Sequence, residues 1–345
     1  MYKERPNKVD TENKTFTLTI NQGTVFSVSG DSSLLKYLSD NHIYLPSACG
    51  GRGLCGLCKI RPMGDSGPLQ PAEIKKLTEE ERIHKGLRLA CQVKVQSNLR
   101  IEIPPEYLLN QSFLATLESK LELTYDTIRF HFRMAEPATL DFIPGQFVQL
   151  TCPPYKGSPY PVQRAYSIAS DPARPESLDL IIRKVPNGIC TTWCFEYLQP
   201  GQKVRFSGPF GDFRLSGSTA PMIFIAGGSG MAPFVSILHQ MLNTSSPRPV
   251  VYFFGGNKTA DLYLLDRMRQ FEQQLVSFRF VPVVATPDPQ WKGQSGLVTE
   301  AVERLCSDLH SHEAYLCGSP GMIDACIAVL KRLGVDPAKI NYGHL

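Results

Sequence analysis

The sequence has no run approaching the roughly 18 consecutive apolar residues of a bilayer-spanning helix, so no membrane span is expected. Residues Met1–Lys14 are polar and mixed in charge, without the apolar stretch of a secretory signal, and a cytoplasmic location is the expectation. Charge of one sign is scarce: 36 Lys and Arg face 32 Asp and Glu, and the net charge of +4 is too small for a nucleic-acid footprint. The excess lies in residues 1–105, with 15 basic and 11 acidic side chains, whereas residues 106–345 carry 21 of each. That bias either steers an acidic protein face toward the amino-terminal part or is a solvated surface. The ordinary dinucleotide fingerprint G-x-G-x-x-G is also missing. What remains is 345 residues, 42% hydrophobic, with 27 Gly and 27 Pro: two or three turn-rich domains with no sign of disorder.

Ten cysteines stand at 49, 55, 58, 91, 152, 190, 194, 306, 317 and 326. Without a secretory context they read as metal ligands, reactive thiols or buried residues, not as disulfides. Cys49, Cys55 and Cys58 form C-x5-C-x2-C on a loop with Gly50, Gly51, Gly53 and Gly56, and Cys91 follows after 32 intervening residues. Three thiolates on one loop plus a distant fourth can enclose a compact inorganic cluster. The glycines permit positive φ and let backbone N–H groups turn toward the sulfurs. A structural zinc site also takes four cysteines, but typically as two C-x2-C knuckles, and only one is present. A [2Fe–2S] cluster is therefore the reading, with zinc or unliganded thiols as alternatives. Upstream, Phe16, Leu18 and Ile20 alternate with threonines, Asn21-Gln22-Gly23 makes a turn, and Thr24–Ser29 returns as a second strand. Asp31 or Ser32 is the expected cap of a short helix carrying Leu34, Leu35, Tyr37 and Leu38. Leu99–Ile103 is the expected closing strand.

These residues resemble the plant-type ferredoxin domain, a β-grasp fold. The common spacing there is C-x4-C-x2-C. The longer first gap here is similar to that of the ferredoxin-bearing subunit of the sodium-translocating NADH:quinone reductases, proteins that carry an amino-terminal membrane helix.

Residues 113–213 carry short β-like runs at 114–123, 128–134, 147–152, 165–169, 178–185 and 203–207, separated by turns such as Pro144-Gly145 and Pro200-Gly201. That spacing suggests an antiparallel barrel. Arg164-Ala165-Tyr166-Ser167, expected at the start of a strand, gathers a cation, an aromatic plate and a hydroxyl. The set suits a flavin's pyrophosphate, ring and N5 edge. Asn187-Gly188-Ile189-Cys190-Thr191-Thr192-Trp193 opens an expected helix whose N–H groups and Thr hydroxyls could receive phosphate oxygens, with Gly188 allowing close approach. In this order the two motifs resemble the FAD-binding barrel of the ferredoxin–NADP reductase superfamily, and Gly208–Phe213 looks like that family's barrel exit.

Met222–Ala226 is a fully apolar run, as in a strand buried on both faces. Gly227-Gly228-Ser229-Gly230-Met231-Ala232-Pro233 and a helical pattern follow, presenting N–H groups to a pyrophosphate. Alternating segments continue: strand 250–254, helix 262–274, strand 278–284, helix 297–306, strand 314–317 and helix 322–333, a parallel sheet covered by helices. This part resembles the nicotinamide-dinucleotide domain of the same superfamily. The resemblance puts Cys317 and Gly318, in Leu316-Cys317-Gly318-Ser319-Pro320, beside the nicotinamide, and makes Tyr342 the candidate shield of the flavin. Cys152, Cys190, Cys194, Cys306 and Cys326 read as small buried side chains. After strand 250–254, Lys258 is the single cation and Asp261 would repel a 2′-phosphate, so NADH is expected over NADPH.

The resemblance implies three domains: a [2Fe–2S] β-grasp domain at 14–105, an FAD-binding barrel at 110–215 and an NAD-binding α/β domain at 219–345. It implies an NADH-dependent oxidoreductase passing electrons through FAD and the cluster to a partner protein docking near the iron–sulfur loop, with Arg52 closest. Tyr166, Ser167 and Cys317 are the expected catalytic set. Arg164, Gly188, Cys190, Thr191, Thr192, Gly227, Gly228, Gly230, Met231, Pro233, Gly318 and Tyr342 join them in holding cofactors, and Cys49, Cys55, Cys58 and Cys91 hold the cluster. Two partners are open: a multicomponent oxygenase, or a respiratory or anaerobic redox complex.

Overall fold

A computed structural model describes residues 15–29, 32–108 and 111–343. The chain falls into two compact units whose main boundary lies between Asn110 and Gln111.

The first unit is built on a five-stranded mixed sheet in the order Thr24–Ser29, Thr15–Ile20, Leu99–Glu102, Lys59–Met63, Arg88–Leu89. The expected hairpin is present: Thr15 pairs with Ser29 and Ile20 with Thr24, and Asn21 supplies the positive φ of the turn. Leu18, Ile20, Leu99 and Ile101 point into one core with Leu34, Leu38, Leu45 and Ile60. The helix is Leu34–Asp40, and its cap is Ser33, whose hydroxyl accepts from the Lys36 N–H. Ser32 is therefore one residue too early, and Asp31 lies outside the described residues.

The second unit carries two six-stranded sheets. One is antiparallel, in the order Ser177–Arg183, Thr127–Glu136, Gln111–Thr124, Lys203–Phe210, Phe147–Cys152, Val162–Ser167. Its two edges meet at one bridge, Ile168 to Leu180, so the sheet curls like a barrel without a hydrogen-bonded ladder closing it. Phe130, Phe132, Leu150, Leu180 and Phe206 fill its interior. Arg164 is the third residue of its strand and not the first, because Val162 and Gln163 already pair with Cys152 and Thr151.

The other sheet is parallel, in the order Gln294–Ser295, Phe278–Val284, Val250–Gly256, Met222–Gly227, Glu313–Cys317, Ile340–Gly343. Helices Met231–Asn243, Leu265–Gln274, Val298–Leu305 and Pro320–Arg332 cover it. Phe224 and Ile225 alternate between two separate cores, the reason the central strand is apolar throughout. The helix expected from 262 begins at Leu265, because Leu264 holds a left-handed φ of 55°. No helix among the described residues is long and apolar enough to cross a membrane.

Candidate functional site

In the first unit the cysteine loop is backbone-determined. Gly50, Gly51, Gly53 and Gly56 all take positive φ, and the Gly51 N–H donates to the Ser47 hydroxyl at 3.1 Å. A Cβ on Gly53 would stand 2.9 Å from the Ala72 Cβ, so the helix Pro71–Lys76 lies directly against the loop. Cys91 comes to it because the Ala90 N–H donates to the Cys58 carbonyl at 2.8 Å. A hydrogen bond shared with the Cys91 sulfur, followed by burial, pushes the Cys58 thiol up, with Cys55 adding to the effect. The Gln92 amide donates to the Cys91 sulfur at 3.4 Å. Cys55 is half-exposed and Cys49, Cys58 and Cys91 are buried.

Among the described residues no three His, Cys, Asp or Glu side chains converge on a single-ion site. Four thiolates on a two-iron cluster are shared between two metals, so one focus is not required, and the donor set fits such a cluster.

The loop's support is an ion pair. Burial opposes the charge of Glu73, which is fully buried, but the Arg88 guanidinium and the N–H groups of Gln70 and Leu89 hold its carboxyl below the usual range. Arg88 Nε and Nη2 donate to it at 2.7 and 2.8 Å, and Arg88 also ties the carbonyls of Ser66, Gly67 and Pro68.

In the antiparallel sheet, Arg164, Tyr166 and Ser167 lie on one edge strand. Arg164 donates one N–H to the Gln163 carbonyl at 2.7 Å. Ser167 is 5% exposed, and its hydroxyl makes no hydrogen bond among the described residues, so its donor and both lone pairs suit a flavin edge. The half-buried Tyr166 packs on the sheet's core, close to Cys190. Hydrogen bonds from the Cys152 and Cys194 thiols, against burial, and then from Tyr166 pull the Cys190 thiol down.

Gly188 is needed for space: a Cβ there would sit 2.5 Å from Thr191 Oγ1. Thr191 is buried, and its hydroxyl accepts from the Val185 N–H and donates to the Gly188 carbonyl, both at 3.2 Å. Thr191 thus closes the turn, while the half-buried Thr192 has a hydroxyl without a hydrogen bond among the described residues. The helix Ile189–Thr192 runs on as a π-helical turn, Trp193–Tyr197.

The parallel sheet ends in a cavity of about 610 Å³ at the carboxyl ends of its strands, lined by Gly227–Gly230, Gly255–Asn257, Asp261, Cys317–Met322 and, from the other sheet, Asp126, Thr127 and Arg183. This is where open α/β sheets bind ligands. A Cβ on Gly230 would come within 2.1 Å of the Cys317 carbonyl oxygen, and one on Gly227 within 2.9 Å of Met322 Sδ. Gly228 adopts φ +56°, and its carbonyl accepts from the buried Tyr263 hydroxyl at 2.7 Å. Cys317 lines the cavity at 1% exposure, and burial raises its thiol to about 12.

Met231 and Pro233 are buried in the helix that follows and do not line the cavity. Tyr342 is 42% exposed on the edge strand Ile340–Gly343, opposite Leu316. A smaller cavity of about 230 Å³, with Glu272, Arg279 and His312, lies at the opposite ends of the strands.

Sequence reasoning missed Asp126, Arg183 and Tyr263. Arg183 Nε donates to Asp126 at 2.7 Å, and its Nη1 lies 3.5 Å from where a Gly228 Cβ would be.

Three family descriptions match the chain in order: "2Fe-2S iron-sulfur cluster binding domain" over residues 18–96, "Oxidoreductase FAD-binding domain" over 114–215 and "Oxidoreductase NAD-binding domain" over 224–327. Together with the sheets and cavity they define an NAD(P)H-dependent oxidoreductase, an iron–sulfur flavoprotein carrying a [2Fe–2S] cluster and FAD. The chain belongs to the ferredoxin–NADP reductase superfamily, in the group with an amino-terminal plant-type ferredoxin domain. It is 33% identical to the phenol hydroxylase P5 protein of Acinetobacter pittii, over 89% of this chain and 88% of that one. It is 31% identical to one subunit of the Na(+)-translocating NADH-quinone reductase of Klebsiella pneumoniae, over 90% and 86%. The solved Amycolatopsis cytochrome P-450 reductase GcoB matches at a TM-score of 0.74 and 30% identity, covering 95% of this chain and 98% of that one.

Proposed function

We propose that this protein is the NADH-oxidising reductase component of a multicomponent oxygenase, delivering single electrons to one cognate protein. When bound, FAD supplies the step from hydride acceptance to one-electron release, and the cluster supplies the exit. Arg164 holds the flavin's pyrophosphate with the backbone at Gly188, Cys190 and Thr191 and with the Thr192 hydroxyl, Tyr166 carries its ring, and Ser167 offers the hydroxyl at its reactive edge. Gly227, Gly228 and Gly230 admit the nicotinamide dinucleotide, with Cys317 and Gly318 beside the nicotinamide and Tyr342 as the shield. Cys49, Cys55, Cys58 and Cys91 hold the cluster, and Arg52 is the charge that meets the acceptor.

The oxygenase assignment rests on the full-length likeness to the phenol hydroxylase P5 protein. The choice of NADH rests on Asp261, which lines the cavity just past the strand Val250–Gly256, where a ribose 2′-hydroxyl is held in such sheets. The C-x5-C-x2-C spacing and the quinone-reductase relative favour a second reading, a feeder of a respiratory or anaerobic complex. Anaerobic spectra before and after stoichiometric NADH, repeated with NADPH, test the electron path. Flavin and iron–sulfur absorption bleached preferentially by NADH is expected, and a flavin-free spectrum from protein shown not to have lost cofactor overturns it. Arg52→Glu is expected to slow acceptor reduction, and an unchanged rate removes Arg52 from the docking surface.

A further inference from the structure

The cavity's ribose end is built from two sheets. Asp261 Oδ2 accepts the N–H groups of Asn257 and Lys258 at 3.0 and 2.9 Å. Its Oδ1 accepts, at 3.1 Å, the hydroxyl of Tyr125, which is carried on the hairpin joining Gln111–Thr124 to Thr127–Glu136 in the antiparallel sheet. That hairpin is held firmly. Asp126 accepts the hydroxyls of Thr124 and Thr127 at 3.0 and 2.9 Å and the Arg183 Nε at 2.7 Å, and its carbonyl accepts the Lys184 N–H at 2.7 Å.

Tyr125 is 72% exposed, so its ring buries little and contributes little to folding. Its hydroxyl is spent on a carboxylate that lines the nucleotide cavity. Three donors on a carboxylate with about four lone-pair sites leave one open on Oδ1, enough for a sugar hydroxyl. A carboxylate pinned from both sides cannot swing away from an incoming phosphate dianion.

We propose that Tyr125 is a positioning residue for nucleotide selection: reaching across from the antiparallel sheet, its hydroxyl fixes Asp261 at the ribose end of the cavity, so that the cavity accepts a free 2′-hydroxyl and rejects a 2′-phosphate. This rests on the reading of Asp261 as the discriminating carboxylate, and it makes selectivity a property of both sheets.

The test is equilibrium titration of cofactor-loaded protein with NAD+ and NADP+, which bind without reducing it, in the wild type, Tyr125→Phe, Asp261→Asn and the double variant. The ratio of the two dissociation constants is the readout, alongside the thermal midpoint. Tyr125→Phe should lower the preference for NAD+ roughly 2- to 10-fold, the worth of one hydrogen bond, while the thermal midpoint stays near the wild type. Asp261→Asn should lower it further, and the double variant should match Asp261→Asn, because Tyr125 acts through that carboxylate. An unchanged ratio in Tyr125→Phe beside a collapsed one in Asp261→Asn overturns the proposal and leaves the reading of Asp261 intact. So does a double variant that falls well below Asp261→Asn. An unchanged ratio in Asp261→Asn overturns the reading itself and the proposal with it.

Discussion

Two glycine-rich turns stand at the proposed cluster and nucleotide sites, and they use glycine for different physical reasons. In the cysteine loop all four glycines have positive φ, and at Gly51 that is the whole need, since an added Cβ would meet nothing nearer than Leu35 at 3.6 Å, while Gly53 is short of room as well. There glycine supplies conformation, and the chemistry is in side chains. In the turn 227–230 only Gly228 has positive φ, whereas Gly227 and Gly230 are needed because atoms of Met322 and Cys317 already occupy the space. There glycine supplies room, and the chemistry is in the backbone. A turn of the first kind announces itself in sequence through its ligands. One of the second kind is recognisable only by what packs on it.

The sharpest way to break the comparison is to remove side-chain chemistry from the first loop. Cys58→Ser should abolish the iron–sulfur absorption while NADH still bleaches the flavin. A surviving cluster spectrum would show that the loop does not depend on that thiolate. Next is the loop's support: Glu73→Ala leaves Arg88 buried and unpaired and should cost about 3–5 kcal/mol, read as earlier loss of cluster absorbance in a denaturant titration. Gly230→Ala drives a methyl into the Cys317 carbonyl and should cost about 3 kcal/mol, with weakened NAD+ binding and an unchanged cluster spectrum.

A pH experiment reaches the foundation of the second region. Burial opposes ionisation of Glu313, but Ser216, Arg248 and Tyr315 hold its carboxyl down to about 2, from an ordinary 4.5. A depressed carboxylate contributes stability that is complete above the ordinary value and lost as the pH falls toward the folded one. The wild type should therefore lose about 3 kcal/mol more than Glu313→Gln between roughly pH 5 and 2. Parallel unfolding curves for the two proteins would refute it. The smallest effect is Gly51→Ala, a left-handed strain with no clash, at about 1–2 kcal/mol in the same cluster-absorbance titration. If it exceeds Gly230→Ala, conformation and room have been assigned to the wrong turns.

Much of this was legible because it is local. The alternation of Phe16, Leu18 and Ile20 gave the hairpin, and the apolar run Met222–Ala226 gave the central parallel strand. What escaped depends on distance or on short elements. Tyr125, Asp126 and Arg183 reach the nucleotide cavity only through the curl of a sheet that no sequence period encodes. Thr191 reads as a phosphate donor, yet its hydroxyl closes a turn with Val185 and Gly188. The strands Gln294–Ser295 and Ile340–Gly343 are two and four residues long, too short for any pattern.

The Glu313 cluster also has a mechanical meaning. Ser216 donates its N–H to Tyr315 and its hydroxyl to Glu313, while Arg248 donates to the carbonyls of Ser216 and Ala220. The Phe213 ring already packs edge-on against Phe234 and Tyr315. The link between the two sheets is thus riveted to the nucleotide side from Phe213 onward, while Phe210 is still paired in the flavin side. Only Gly211 and Asp212 lie between the two anchorages, and the Asn243–Asp171 and Tyr125–Asp261 hydrogen bonds and a shared core that takes in Ala169 and Ile181 join the same two sheets elsewhere, so the sheets are built to move as one piece.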